Sequence, residues 1–243
     1  MTGMLRRHHI HTTFDPLFPE HPMTESFRFA DISGLLYPKS VAVIGASDRP
    51  GNFGGDTIER LLRFKFPGPV WAVNPSGGTV RGLPCLKSVK DLPETPDSAI
   101  FAIPGAALIE AIREIGTMGT KNGVAYAGGF AEAGGDGIAL QKKLADTCRE
   151  FDFKLCGPNC AGILNAATPV TSTFATSLHE VHTLKPGPVS FVTQSGGIGT
   201  TAFFTLQEKG FGCRHLISGG NEAVVTLPDY IYGLANDEGT EII

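Results

Sequence analysis

Short runs rich in β-branched residues alternate along this chain with amphipathic stretches, and glycine turns stand between them. That order is the pattern of β-α-β units wound around a mostly parallel sheet whose faces are covered by helices. Strands are expected at 40–44, 69–73, 98–103, 124–127, 153–156, 189–193 and 213–218, and helices at 55–63, 106–118, 137–151, 199–209 and 224–235. In the second of these helices Leu108, Ile112 and Ile115 share one face, the apolar stripe that a helix lying on a sheet needs. The 31 glycines and 17 prolines follow no triplet period, and 42% of residues are hydrophobic, so the glycines are turn punctuation in a packed α/β chain.

A polar, turn-rich segment between Asn165 and Pro188 divides the pattern. The expected plan is a tail at 1–26, a first α/β domain at 27–165, a linker at 166–184 and the opening of a second α/β domain at 185–243. The last part holds two β-α units and then Glu241-Ile242-Ile243, a sheet of two or three strands that is marginal as a core of its own. Residues 1–22 carry four of the seven histidines without helical or strand periodicity. They read as an unstructured extension or an over-called start ahead of Met23, in preference to a metal cluster at His8, His9 and His11. They also lack the apolar core of a secretory signal.

With 20 basic and 24 acidic residues and a net charge of −4, the chain offers no polyanion-binding surface, so nucleic acid and anionic membrane are not expected partners. No run of 18 apolar residues occurs. The five cysteines, Cys85, Cys148, Cys156, Cys160 and Cys213, are odd in number and scattered, which fits a reducing, cytoplasmic compartment. Cys156 and Cys160 lack the spacing and the second pair of a zinc site, and no metal is expected.

The first strand ends in Gly45-Ala46-Ser47-Asp48-Arg49-Pro50-Gly51-Asn52-Phe53-Gly54-Gly55, and a helix follows. Strand, glycine turn and helix start together aim backbone N–H groups and the positive end of the helix dipole at one point, a place for a pyrophosphate. A tight turn with glycine needed only for backbone geometry is the plainer alternative. A dinucleotide fingerprint is absent: Gly45 and Gly51 are too far apart, and the second strand ends in Val73-Asn74-Pro75 where a ribose-gripping acid belongs, which counts against an NAD-dependent oxidoreductase. Val192-Thr193-Gln194-Ser195-Gly196-Gly197 repeats the device, with Ser195, Gly196 and Gly197 as a second phosphate site.

Five motifs in order then carry a resemblance: 38–47 (PKSVAVIGAS), Val73-Asn74-Pro75, Ala102-Ile103-Pro104, Gly128-Gly129-Phe130-Ala131-Glu132, and Gly157-Pro158-Asn159-Cys160-Ala161-Gly162. From about Phe27 to Ile243 the chain resembles the α-type part of NDP-forming (ADP-forming) acyl-CoA synthetases such as acetate–CoA ligases, relatives of the succinyl-CoA synthetase α subunit. The resemblance implies an α/β fold with a Rossmann-like CoA-binding domain, followed by the start of a flavodoxin-like succinyl-CoA-synthetase-type domain. It implies that Gly45, Ser47, Asp48, Arg49, Pro50 and Gly51 hold the CoA phosphates, that Asn74 and Pro75 flank the nucleotide end, and that Ile103 and Pro104 pack the adenosine. Gly128, Gly129, Asn159 and Cys160 would line the pantetheine path. Arg49 reads equally well as an exposed loop arginine, and Cys160 as packing in a rigid turn, not a nucleophile. Family α subunits often carry a lysine near the position of Gly77, so the phosphate charge must be met by something else here.

The implied reaction is acyl acid, CoA and ATP giving acyl-CoA, ADP and phosphate, by way of an acyl phosphate and a phosphohistidine. That histidine and the acidic residue orienting it are expected beyond Ile243. His179 and His182 fall in the linker, and His215 falls inside a strand. Glu222 follows a strand end, where helix capping accounts for it equally well. ATP/ADP and Mg2+ belong to an ATP-grasp part, supplied as a β-type partner subunit or a fused C-terminal domain, and the co-substrate is a small carboxylic acid. The chain by itself is expected to bind CoA without turnover and to work in an oligomer. A non-catalytic CoA-binding regulatory module is the rival reading.

Overall fold

The structure is a computed structural model that describes residues 28–243. The expected tail, with its histidine cluster, lies outside the described residues. After a four-residue helix α1 (Ser33–Leu36) come β1 (Val41–Ile44), α2 (Phe53–Arg63), β2 (Val70–Val73) and a hairpin of β3 (Thr79–Val80) and β4 (Leu83–Leu86). The chain continues through β5 (Ser98–Phe101), α3 (Gly105–Thr117), β6 (Asn122–Ala125), α4 (Asp136–Glu150) and β7 (Lys154–Cys156). Then follow β8 (Gly162–Asn165), β9 (Val170–Thr173), β10 (Val189–Thr193), α5 (Gly196–Glu208), β11 (Cys213–Ser218) and α6 (Leu227–Ala235).

The first sheet has seven strands in the order β3-β4-β2-β1-β5-β6-β7. All pairings in it are parallel except β3 with β4. All four residues of β1 are buried because both faces of this central strand are covered. Val41 and Val43 join Ile58 and Leu61 of α2 in one core, and Ala42 and Ile44 join Leu108, Ile109, Ile112 and Ile115 of α3 in the other. Winding passes from β2 on one side of β1 to β5 on the other, which makes the carboxyl ends of β1 and β5 a topological switch point where a crevice opens.

The second sheet has four strands, β10-β11-β8-β9, where two or three were expected. β10 and β11 are parallel, and β8 is antiparallel to both β11 and β9. The stretch read as a linker thus carries β9 and a short 3-10 helix at Thr176–Glu180, and β8, read as the end of the first domain, is hydrogen-bonded into the second sheet. Hydrophobic patterning misses β9 because three of its four buried residues are polar: Thr171, Ser172 and Thr173 are all inside. Ile163, Val170, Ile217, Tyr230 and Leu234 share a core with Val43, Ile58 and Tyr126, so the two sheets are packed together.

A polar cluster pins the seam. Asp237 Oδ1 accepts from Tyr37 Oη (2.6 Å), and Asp237 Oδ2 accepts from Arg214 Nε (2.5 Å) and Thr240 Oγ1 (2.7 Å). Burial would raise the Asp237 carboxyl, but these bonds outweigh it and hold its pKa at about 2. Behind it His215 is fully buried, with Nδ1 bonded to Ser190 Oγ (3.1 Å) and Nε2 unpartnered among the described residues. Burial holds its pKa down at about 4, with Asp237 opposing and Arg214 adding to the shift. The folded ring therefore stays neutral at a pH where an unfolded chain, near 6.5, takes up a proton, so its stabilising contribution is complete above 6.5 and drains away toward pH 4. Unfolding by urea at pH 5 should cost about 2 kcal/mol less than at pH 7 on this account. His215→Asn should remove that part of the slope, and an unchanged slope in the variant would place the acid sensitivity elsewhere.

Candidate active site

Because β2, β1, β5, β6 and β7 run parallel, all their carboxyl ends lie along one rim, and each of the five motifs singled out in the sequence leaves the sheet there. The turn after β1 is tied by Asn52. Its Oδ1 accepts from the backbone N–H of Ser47 (2.9 Å) and Gly55 (2.7 Å), and its Nδ2 donates to the Gly45 carbonyl (3.1 Å). Asn52 is also the N-cap of α2, so the side chain that starts the helix also sets the loop in front of it. The N–H groups of Phe53 and Gly54 have no carbonyl one turn back and point out of the helix end. Glycine is required here by close approach: a Cβ on Gly55 would sit 2.1 Å from the Ser47 carbonyl oxygen, and one on Gly45, at φ +90°, would sit 2.4 Å from that of Ala102.

This loop lines a cavity of about 480 Å3 together with the turn after β2, where Asn74 donates to the Ala46 carbonyl (3.1 Å) and accepts from Ser76 N–H (3.0 Å). Ser47, Asp48, Arg49 and Asn74 all line this cavity. Asp48 is not free to repel an anion, since it accepts from Arg81 N–H (3.0 Å) and lies 3.7 Å from the Arg81 guanidinium. Arg81 stands at the tip of the β3–β4 hairpin, at φ +49°. The stem of Lys87 lies over Gly77, with Cε 3.1 Å from where a Cβ would be. Neither Lys87 nor Asn52 was singled out from the sequence, because one reaches the loop from a different strand and the other reads as an ordinary turn residue.

A second cavity of about 470 Å3 is lined by Phe53, Tyr126, Asn159, Cys160, Ala161, Phe174, Gly196, Gly197 and Thr200, with residues 175–177. It joins two sites that were separate in the sequence, the Asn159-Cys160 turn and the start of α5. The start of α5 is pressed so closely on that turn that a Cβ on Gly196 would lie 2.6 Å from the Ala161 side chain. Ser195 serves as the N-cap, its hydroxyl accepting from Ile198 N–H (3.4 Å), which leaves the N–H groups of Gly196 and Gly197 outside the helix ladder. Cys160 is buried, with its thiol 3.3 Å from the Ala125 carbonyl. The Cys156 thiol and burial raise its pKa well above the ordinary value, so it is no thiolate nucleophile.

Other predicted residues stand on the rim but line neither cavity. Ile103 leans over Gly45 at the switch point, and Pro104 beside it is the N-cap of α3. Gly128 and Gly129 close around Glu132, whose Oε1 accepts from Gly129 N–H (2.6 Å) and Phe130 N–H (3.3 Å). Burial works against it, yet bonds from Asn221 and these N–H groups hold the Glu132 carboxyl below its usual range. Asn221 also donates to Gln141 Oε1 (2.9 Å) and accepts from Asn159 Nδ2 (3.2 Å). An ionised carboxylate thus ties the turn of one sheet to that of the other.

A doubly wound domain with its helix starts gathered on the carboxyl rim is the nucleotide-binding class of α/β fold. The chain belongs to the CoA binding domain family, whose model matches residues 39–166, and a second model, the succinyl-CoA ligase like flavodoxin domain, matches residues 186–243. This domain pair is related to the ADP-forming acetate–CoA ligase and succinyl-CoA synthetase α-subunit family. The chain is 36% identical over 217 residues to a trans-feruloyl-CoA synthase from an unknown prokaryotic organism, covering 89% of this chain and 31% of that protein. It is 30% identical over 217 residues to subunit alpha of acetate–CoA ligase [ADP-forming] I from Pyrococcus furiosus, covering 87% and 46%. The dinucleotide forming acetyl-coenzyme A synthetase 1 of Ca. Korarchaeum cryptofilum, in complex with phosphate and ADP, superposes with a TM-score of 0.80 at 29% identity, covering 87% of this chain and 44% of that one. The chain therefore spans less than half the length of each of these proteins.

The packing around the two helix starts gives a direct test. Gly55→Ala forces the Ser47 carbonyl to move and should lower stability by about 1–3 kcal/mol, the usual cost of overpacking. Gly197→Ala, whose Cβ meets nothing within 4 Å, should leave stability level or raise it slightly. Equal losses in both variants, measured by urea unfolding, would show that the helix–loop contact does not set the turn.

Proposed function

We propose that this chain is the CoA-binding and phosphoryl-facing part of an acid–thiol ligase, acyl acid, CoA and ATP giving acyl-CoA, ADP and phosphate. The observation that carries the reading is that two glycine-built helix starts, those of α2 and α5, border two cavities, with Asn52 lining the first and the adjacent Phe53 lining the second beside Gly196 and Gly197. In this reading Ser47 to Gly51 and the N–H groups at the start of α2 hold the CoA phosphates in the first cavity. Arg49 and Lys87 supply the positive charge, and Asn74 and Pro75 flank the nucleotide end. Ile103 and Pro104 pack the adenosine, and Gly128, Gly129, Asn159 and Cys160 border the arm that carries the thiol toward the second cavity. There the free N–H groups of Gly196 and Gly197 stabilise the phosphoryl group from which an acyl phosphate forms.

In this reading none of His179, His182 and His215 carries the phosphoryl group. His215 is buried against Ser190, His179 faces Arg60 Nη2 at 2.9 Å, and His182 lies beside a different cavity. ATP, ADP and Mg2+ are handled by an ATP-grasp part, and the support for a separate or fused partner is the naming of one relative as an α subunit. The acids named for the relatives range from acetate to trans-ferulate, so family membership leaves the acid open. Among the described residues no helix is long and apolar enough to cross a membrane, and the reading places the protein in the cytoplasm.

Isothermal titration tests the core of this reading. CoA should bind one to one, with an affinity that falls as salt rises, and NAD should give no heat. Arg49→Ala combined with Lys87→Ala should weaken CoA about tenfold, the loss of one or two charge-assisted contacts to phosphate. A chain that folds but gives no heat with CoA overturns the proposal.

A further inference from the structure

The second cavity has a wall that phosphoryl transfer does not need. Phe53, at the first position of α2, stacks on Phe174 with ring centroids 4.3 Å apart and planes 20° from parallel. Tyr126 meets Phe174 edge-on at 5.0 Å and Phe53 edge-on at 6.5 Å. Phe53 is 43% exposed, a large apolar ring left open on one face. Tyr126 is nearly buried, its hydroxyl bonded to Thr57 Oγ1 (3.0 Å), so the ring is fixed and its polar end is turned away into the protein. None of the residues that line the cavity is charged.

Resting on the reading above, that acid, phosphoryl group and thiol meet here, we propose that Phe53, Tyr126 and Phe174 form the acyl-specificity wall and that the acid is an aryl-bearing monocarboxylate. The physical case has three parts. The cavity of about 470 Å3 has room for a phenyl ring, which fits in roughly 150 Å3, beside the end of a thiol arm. Offset and edge-on faces are the geometry in which a further ring gains more than its buried area alone. The neutral lining has no cation to pair with a second carboxylate, which would be left desolvated and unpaired. The single carboxylate faces the N–H groups of Gly196 and Gly197, and the ring lies against Phe53 and Phe174.

Saturation-transfer NMR and calorimetry on the full chain, saturated with CoA, test this with phenylacetate, acetate and succinate as probes. Phenylacetate should bind at least tenfold more tightly than either of the others, and its ring protons should receive more saturation than its methylene. Phe174→Leu, which keeps apolar volume without the ring, should cost phenylacetate fivefold or more while CoA affinity stays as in the parent. Phe53→Ala, at an exposed position, should act in the same direction and guards against a variant that fails to fold. Equal binding of the three acids, or competition between phenylacetate and CoA, overturns the inference while CoA binding leaves the ligase reading standing. Absence of CoA binding in the same samples overturns that reading first.

Discussion

Everything at the rim depends on how closely two helix ends approach the strands they follow. The positive end of a helix dipole acts within about one turn of its first residues. A side chain between helix start and loop would hold that end away from the cavity and fill part of the space. At Gly55 the distance available to a Cβ is 2.1 Å and at Gly196 it is 2.6 Å, below any normal contact. The sequence therefore gives up side chains at the two places where it needs backbone N–H groups brought forward. Asn52 and Ser195 then cap the helices and hold those groups in register.

The same constraint explains what was legible in the sequence. A β-α turn is built from one contiguous stretch, so the loop from Gly45 to Gly55 and the turn at Ser195 to Gly197 announce themselves through glycine spacing and a following helix. The limits of β10 and β11 were readable for a similar reason, as β-branched runs closed by turn residues. β9 was not, because Thr171, Ser172 and Thr173 are buried by pairing and by hydrogen bonds such as Thr173 Oγ1 to the Ala161 carbonyl (2.6 Å), and hydropathy carries no trace of that. β8 was not read as a strand at all, and its residues were drawn into the first domain, since its partners, such as His215 opposite Asn165, lie far along the chain.

Site residues divide along the same line. Ser47, Asp48, Arg49 and Asn74 come from the first two turns of the sheet and are brought together by strand order alone. Arg81 and Lys87 come from the β3–β4 hairpin and the residue after it, at the edge of the first sheet, whereas Asn221 and Phe174 come from a loop of the second sheet and the end of β9, and their relation to the site exists only once both sheets are packed. Asp48 shows the difference most clearly. In the sequence it is an acid in a phosphate loop, an apparent contradiction, and only the fold supplies Arg81 to neutralise it.

Helix α2 is what makes two cavities into one device. Its start faces the first cavity, and Phe53 in its first turn faces the second. One turn further on, Thr57 bonds Tyr126, and Arg60, wholly buried, donates to the Thr173 carbonyl (3.2 Å) and lies 2.9 Å from His179 Nε2. Arg63 donates to the carbonyls of Leu178 (2.5 Å) and His179 (3.0 Å). Burial lowers the Arg60 pKa, but a guanidinium remains charged in a protein and can only donate. Enclosing a charge without a carboxylate partner is costly, and an apolar side chain of the same length would avoid that cost. What an apolar side chain could not do is fix α2 by direction to β9 and to the 176–180 turn, the elements that carry Phe174 and close the second cavity. Through these bonds, and through the stacking of Phe53 on Phe174, the position of α2 and that of the aromatic wall of the second cavity are set together.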